Sequence, residues 1–398
     1  MRVLFTTAWY PNRKVAGDGV FVQKHARAIA ACHDVAVLMV QTDVAVKGWR
    51  AEIESTEQHE VLVYVPKIRA ELPILTGLLR LFWLMTGYIA GYRYIKKLYW
   101  QGQRPEVCHV NVLTRAAGLP WLLRKVHHIP YIITEHWSRY HREGTFPAGR
   151  LHLWFTRRVV SDASCVCPVS LNLEQSMKQW KLQNKHYVRV GNVVDTEMFS
   201  LDSSSVSSTT DVVRKPLQLL HVSWLRDDSK NISGMLRVVA RLKDAGASVS
   251  LRIVGEGNDK LQLVALSQQL GLMPGVVTFV GARQGDELVS EMRAADALLM
   301  FSNFENQPVS VLEALSCGLP VIATAVGAIP MMLAQNRGIT VAPGNEDELY
   351  EVLHAFVQLS QVRRDDAALR AARHQYVVEH HSAEVIARQF SVLYGSRL

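Results

Sequence analysis

The sequence predicts two doubly wound α/β domains, on three observations. Strand-like apolar runs alternate with helical stretches, the alternation halts at a Ser-rich break, and beyond it the alternation starts again. A chain of 398 residues with 48% apolar composition buries at least one full core, and ordinary domain size makes two domains the default.

The elements follow in order. Arg2–Thr7 reads as a strand, residues 20–31 as a helix, and Val35–Val40 and Val61–Val65 as two further strands. Leu72–Trp100 is the most apolar stretch. Next come a strand at Val107–Asn111, a helix near Arg115–Val126, and strands at Tyr131–Thr134 and Cys165–Val169. Ser203–Thr210 has the composition of a flexible linker. After it, strands are expected at Gln218–Val222, Ser250–Val254, Val276–Val280, Ala297–Phe301 and Val321–Thr324. Helices are expected at Ile232–Asp244, Asp259–Leu270 and Asp286–Ala294 and after Pro308, and the segment from about Asp365 to Leu398 reads as helical. The expected division is a first domain over 1–198, a linker over 199–215, a second domain over 216–375 and a final helical segment over 376–398.

Charge is uneven. Residues 67–160 carry 15 Lys/Arg against 4 Asp/Glu, whereas the flanking regions are near balance, so the formal excess of +8 originates in that window. No nucleic-acid-binding module accompanies it. Within the window, Leu72–Trp100 is interrupted by Arg80 and closed by Arg93, Lys96 and Lys97, which argues against a spanning helix. Two readings stand: an amphipathic helix meeting an anionic membrane surface, or an ordinary core helix. The five cysteines form no CxxC pair and read as reduced, buried residues of a cytosolic protein. The amino terminus runs straight into a strand without signal-peptide features, so no secretion is expected.

Phe301–Pro330 is the most informative segment. Pro308 suits the first turn of a helix, so Val309, Ser310 and Val311 would present free N–H groups at the positive end of its dipole. A diphosphate docks at such a terminus. Glu305 lies before that helix and Glu313 within it, spaced to reach hydroxyls on opposite sides of the phosphate. Asn306 and Gln307 complete the loop.

The segment strongly resembles the retaining glycosyltransferases of family 4, whose signature of two Glu separated by seven residues, then Glu-Ala-Leu and Gly-x-Pro-Val, reads here as Glu305, Glu313-Ala314-Leu315 and Gly318-Leu319-Pro320-Val321. The resemblance covers residues 216–375 and, more loosely, 1–198, including Asn192-Val193-Val194-Asp195 and Phe199. It implies the GT-B fold, with two Rossmann-like domains facing each other across a cleft and the last helix returning to the first domain. By it, the donor is a nucleotide-sugar and the acceptor a glycan or lipid-linked glycan; no cofactor is expected, and because no Asp-x-Asp motif stands in a suitable place, no metal is expected either. Lys230 matches the family's phosphate-binding lysine. Trp224 stands where the family has a second phosphate-binding Arg, and Arg226 is the candidate substitute. His136 matches a histidine near the donor sugar, Glu305 would hold sugar hydroxyls and Glu313 the ribose. Gly17-Asp18-Gly19 occupies the place of a Gly-Gly loop, with an inserted Asp. Gly255, Gly281 and Arg283 end two strands where the family's base contacts lie. Glu135 is given no catalytic role. The implied setting is cytoplasmic and peripheral on the inner face of the membrane, and the rival readings are a non-catalytic nucleotide-sugar-binding or assembly subunit, a GT-B phosphorylase or epimerase, and, least favoured, a nicotinamide dehydrogenase.

Overall fold

The computed structural model describes residues 1–15, 17–48, 51–67, 73–113, 115–137, 140, 149–202, 216–360 and 366–396. The chain forms two compact units, Met1–Val193 with Ala383–Leu398, and Val194–Ser382.

The first unit contains β1 (Arg2–Thr7), α1 (Val20–Ala30), β2 (Asp34–Asp43), β3 (Glu52–Ser55), β4 (Glu60–Pro66), α2 (Pro73–Leu98), β5 (Val107–Asn111), α3 (Gly118–His127), β6 (Tyr131–Glu135), α4 (Gly149–Asp162), β7 (Cys165–Pro168) and α5 (Leu171–Gln179). Its sheet runs β3-β4-β2-β1-β5-β6-β7 and is parallel except for β3, which pairs antiparallel with β4. The short edge strand β3 was not foreseen, because a largely exposed Glu-Ile-Glu-Ser run has no apolar alternation to read. By contrast, β1 and β5 are buried almost throughout, as strands covered by helices on both faces must be. One core lies between the sheet and α2, α3 and α4, with Trp83, Tyr88, Leu119 and Val160 in it. The other lies under α1.

The second unit contains β8 (Leu217–Val222), α6 (Asp227–Lys230), α7 (Ile232–Asp244), β9 (Val249–Val254), α8 (Lys260–Gln269), β10 (Val277–Gly281), α9 (Gly285–Ala294), β11 (Ala297–Met300), α10 (Val309–Ser316), β12 (Val321–Thr324), α11 (Ile329–Leu333), β13 (Gly338–Val341), α12 (Glu346–Ser360) and α13 (Ala367–His381). The sheet order is β10-β9-β8-β11-β12-β13, all parallel. Order reverses between β8 and β11, which makes their carboxyl ends the ligand-binding crevice of this fold. Strand β13 and helix α12 are additions to the sequence reading.

The carboxyl-terminal helical segment breaks at Ser382, later than 376. Helix α13 packs on α10, whereas the final helix α14 (Ala383–Gly395) packs on α1 and buries Ile386, Phe390 and Tyr394 in the first unit. Val194, assigned from sequence to the first domain, and Phe199, assigned to the linker, pack in the second unit's core. The Ser203–Thr210 linker lies outside the described residues. Cys32 is exposed, contrary to the expectation of five buried cysteines; the other four are buried.

Candidate functional site

The β8–β11 crevice is furnished by the loops that follow these strands. After β8 the chain turns at Ser223–Arg226 into the single turn of α6, whose last residue is Lys230. Asn231 then takes a left-handed conformation, φ 47°, and caps α7 by accepting from the Gly234 N–H. The turn is held by Asp227, whose N–H donates to Asp259 Oδ2 and whose Oδ1 accepts from Ser233 N. Lys230 therefore sits on a braced loop rather than a free one.

After β11 the chain carries Ser302 to Pro308. Lys230 Nζ donates to Glu305 Oε1 at 2.6 Å, and Ser302 Oγ donates to the same oxygen at 2.8 Å. The side chains of Lys230 and Glu305 are 19% and 8% exposed, so both charges are largely withdrawn from water and each compensates the other. Ser302 is itself fixed, its carbonyl accepting from Thr324 Oγ1 at the end of β12. Asn303 ties the two loops together, its N–H donating to Ser229 O and its Nδ2 to Asp228 O. Gly327 closes the other side: at φ 59°, a Cβ there would lie 2.2 Å from the Glu305 carbonyl oxygen. Ser302, Asn303, Thr324 and Gly327 escaped the sequence reading. Only Ser302, small and polar directly after a buried strand, carried any local signal.

Pro308 is the N-cap of α10, with φ −68° and ψ 122°, one position before the expected first turn. The consequence for the cradle is small. Val309 and Ser310 are half-exposed, while Val311 and Glu313 are buried and Asn306 and Gln307 lie buried beside them. Glu313 is thus not a solvated helix residue. Helix α13 anchors the far end of α10, with Arg373 Nη1 donating to Gly318 O at 3.0 Å and His374 Nδ1 donating to Ser316 O at 2.6 Å.

His221 links the two strands of the crevice. Its Nδ1 donates to Leu299 O, so in the neutral ring Nε2 accepts from Ser223 Oγ at 2.7 Å. Complete burial pushes its pKa down to about 4. Gly255 packs against Ser223 at the end of β9, and Gly281 ends β10. Arg283 Nη1 donates to the Ala282 carbonyl at 3.2 Å, and its Nε lies 3.9 Å from Glu287 Oε2. Arg226 points to the surface and pairs with Asp228 at 2.7 Å; Trp224 is exposed.

In the first unit, Gly17, Asp18 and Gly19 precede α1. Gly19 is its N-cap in the left-handed region, φ 64°, where a Cβ would lie 2.4 Å from the Trp9 carbonyl carbon. The glycine is required by the chain's own packing. Partial burial raises the Asp18 carboxyl above its usual range. His136 follows β6, with Nε2 against Asn111 Oδ1 at 3.2 Å and its ring 4.7 Å from that of Phe21. Desolvation, with His25 and His109 nearby, holds His136 well below the usual imidazole range, so it is a neutral group at pH 7. Glu135 accepts from the N–H groups of Leu113, His136 and Trp137, which fixes the loops after β5 and β6. That work accounts for its burial.

Two family models match: "Glycosyl transferases group 1" over residues 209–375 and "Glycosyl transferase 4-like domain" over residues 16–193. Among curated proteins, a putative teichuronic acid biosynthesis glycosyltransferase of Bacillus subtilis is 23% identical over 372 residues, covering 89% of this chain and 88% of that one. Glycogen synthase of Mycobacterium tuberculosis is 22% identical over 370 residues, covering 86% and 83%. Among solved structures, sucrose-phosphate synthase from Thermosynechococcus elongatus superposes with a TM-score of 0.76 at 19% identity, over 99% of this chain and 98% of that one. Anabaena HepE in complex with UDP and glucose superposes with a TM-score of 0.71 at 14% identity, over 99% of each chain.

Proposed function

Because the chain belongs to the group 1 glycosyltransferases and has their GT-B fold, we propose that it is a retaining, metal-independent hexosyltransferase. It moves a sugar from a UDP- or GDP-sugar to a hydroxyl of a glycan or lipid-linked glycan in surface-polysaccharide synthesis. The work is placed at the cytoplasmic face of an anionic membrane. The observation that carries the reading is the Lys230–Glu305 pair, held at 2.6 Å in the crevice whose loops lead into the amino end of α10.

The chemistry follows from what those groups can do. The C1–O bond to the diphosphate breaks as the acceptor oxygen attacks, and negative charge grows on the departing phosphate. Lys230 and the N–H groups of Val309, Ser310 and Val311 stabilise that charge. Glu305 holds sugar hydroxyls, with Ser302 fixing its rotamer, and Glu313 takes the ribose diol. Glu305 is engaged by two donors, so it is a poor nucleophile, which favours attack on the face the phosphate leaves and transfer of the acceptor proton to that phosphate. His136 and Arg226 are assigned as further sugar and phosphate contacts on the resemblance alone. The relative named for teichuronic acid synthesis supports the polysaccharide assignment, and the HepE complex with UDP and glucose favours a UDP donor.

A second reading has a specific observation behind it. Trp224 replaces the family's Arg and Arg226 is occupied by Asp228, which suits a subunit that binds a nucleotide-sugar without turnover. Donor hydrolysis across a panel of UDP- and GDP-sugars, preceded by thermal-shift screening, separates them. Slow hydrolysis of a bound donor is expected; binding with no hydrolysis or transfer for any donor would favour the subunit.

A further inference from the structure

Beyond β5 the first unit makes a strained turn. Val112, β-branched and buried, is held in the left-handed region at φ 62°, with its N–H on Thr134 O, and the next N–H, that of Leu113, donates to Glu135 Oε2 at 2.8 Å. The chain then enters the 3₁₀ turn Arg115–Ala117, which packs on β1 and β5. Ala116 and Ala117 are buried in the core under α2, α3 and α4, which fixes where Arg115 stands.

What Arg115 lacks is an anion. Its Nε is shut off from water and has no hydrogen-bond acceptor among the described residues. The acid of the neighbouring loop, Glu135, is committed to the N–H groups of Leu113, His136 and Trp137. Tyr88 of α2 donates its hydroxyl to Thr7 O, and burial pushes its pKa up, so it is no anion either. Burial holds Arg115 below the usual arginine range, and the like charge of Arg80 on α2 pushes the same way. An arginine nevertheless stays charged.

Thr6 adds a second unsatisfied group, since its Oγ1 is buried without a partner. Leu4, two residues earlier on β1, lies in the core under α2, and strand alternation puts Thr6 on that same face, where the Arg115 turn packs. Both groups stand at the carboxyl end of the sheet, where ligands bind in open α/β folds. A guanidinium withdrawn from water without a counter-charge is costly, and a buried polar atom left unpaired in a native structure calls for a partner.

We infer that Arg115, with Thr6 on the same corner of the sheet, forms an anion subsite, and that the acceptor brings the anion to it as a phosphate or a carboxylate. The inference rests on the transferase reading above and narrows its acceptor to a charged one, either a glycan linked through a diphosphate or an acidic sugar. The guanidinium offers parallel N–H donors that suit both oxyanions, and the Thr6 hydroxyl adds a further donor. A neutral glycan would leave both unpaired.

Calorimetric titration of inorganic pyrophosphate and of glucuronate into the full chain tests this, with the donor site first saturated by the nucleotide that thermal-shift screening selects. Wild type is expected to bind pyrophosphate if the acceptor is diphosphate-linked, or glucuronate if it is an acidic sugar. R115M should bind the same probe about 10–100-fold more weakly. Melting temperature separates a ligand role from a structural one: loss of a structural arginine lowers it, whereas loss of an unpaired buried charge leaves it equal or higher. Equal binding by R115M, binding of neither probe by wild type, or a lower melting temperature in R115M would overturn the inference. The transferase reading survives any of these results if wild type hydrolyses a donor. If wild type hydrolyses none while R115M still loses the anion, the subsite stands and the transferase reading falls.

Discussion

Replacing Lys230 with Ala probes the proposed chemistry and the resting structure together. The ammonium is 2.6 Å from Glu305 Oε1, and in the account it turns to the departing phosphate during transfer. Removing one preorganised donor from a developing oxyanion costs about 2.7–4 kcal/mol, so kcat should fall roughly 10²–10³-fold. The substitution also strands Glu305, whose carboxylate is 8% exposed and keeps Ser302 as a donor but loses its cation. That should lower stability by about 1–3 kcal/mol. The two effects separate. In K230A/E305A the stranded charge is gone, so much of the stability returns, but kcat does not recover. Lys230→Arg keeps the charge and should retain more activity than Ala. Steady-state donor hydrolysis with thermal melting reads both quantities. Near-normal kcat in a folded K230A would refute the assignment of phosphate stabilisation.

Other outcomes follow from the same structure. Val309→Pro removes one N–H from the cradle at the position where proline is best tolerated, after a residue already extended at ψ 122°; isothermal titration should show donor affinity about 10–100-fold weaker with the melting temperature nearly unchanged. His221 is neutral in the folded protein with its pKa near 4, so the unfolded chain binds the extra proton below about pH 6.5; this contribution is intact above that pH and is lost as pH falls toward 4, about 3 kcal/mol in all. Denaturant titrations across pH should show the slope, and H221N should flatten it. Phe390→Ala empties a fully buried site where α14 meets α1 and should destabilise the first unit by about 3–5 kcal/mol, seen as early loss of hydrogen-exchange protection in α1.

The legible parts of the fold were those governed by local periodicity. Fully buried parallel strands such as β1, β5 and β11 appear as short apolar runs, and the amphipathic α7 between turn residues is equally plain. Strand β3 was lost because an exposed edge strand needs no apolar face. The break at Ser382 was lost because two helices in series look like one; only the tertiary partners, α10 for α13 and α1 for α14, distinguish them. In the site, Glu305, Glu313 and Lys230 were readable from their spacing and resemblance. The brace around Glu305 was not, since Thr324, Ser302 and Gly327 converge from two different loops and strands. Gly19 illustrates the converse: a glycine suited to a ligand loop is held there by Trp9.

The central claim is that the donor's diphosphate binds at the amino end of α10 beside Lys230, with Glu305 on the sugar and Glu313 on the ribose. A crystal structure with the sugar nucleotide selected by thermal shift tests it most directly. The account expects phosphate oxygens within hydrogen-bonding distance of the Val309 or Ser310 N–H and of Lys230 Nζ, and both carboxylates on the flanking hydroxyls. A nucleotide bound elsewhere, or carboxylates turned away from it, would contradict the account.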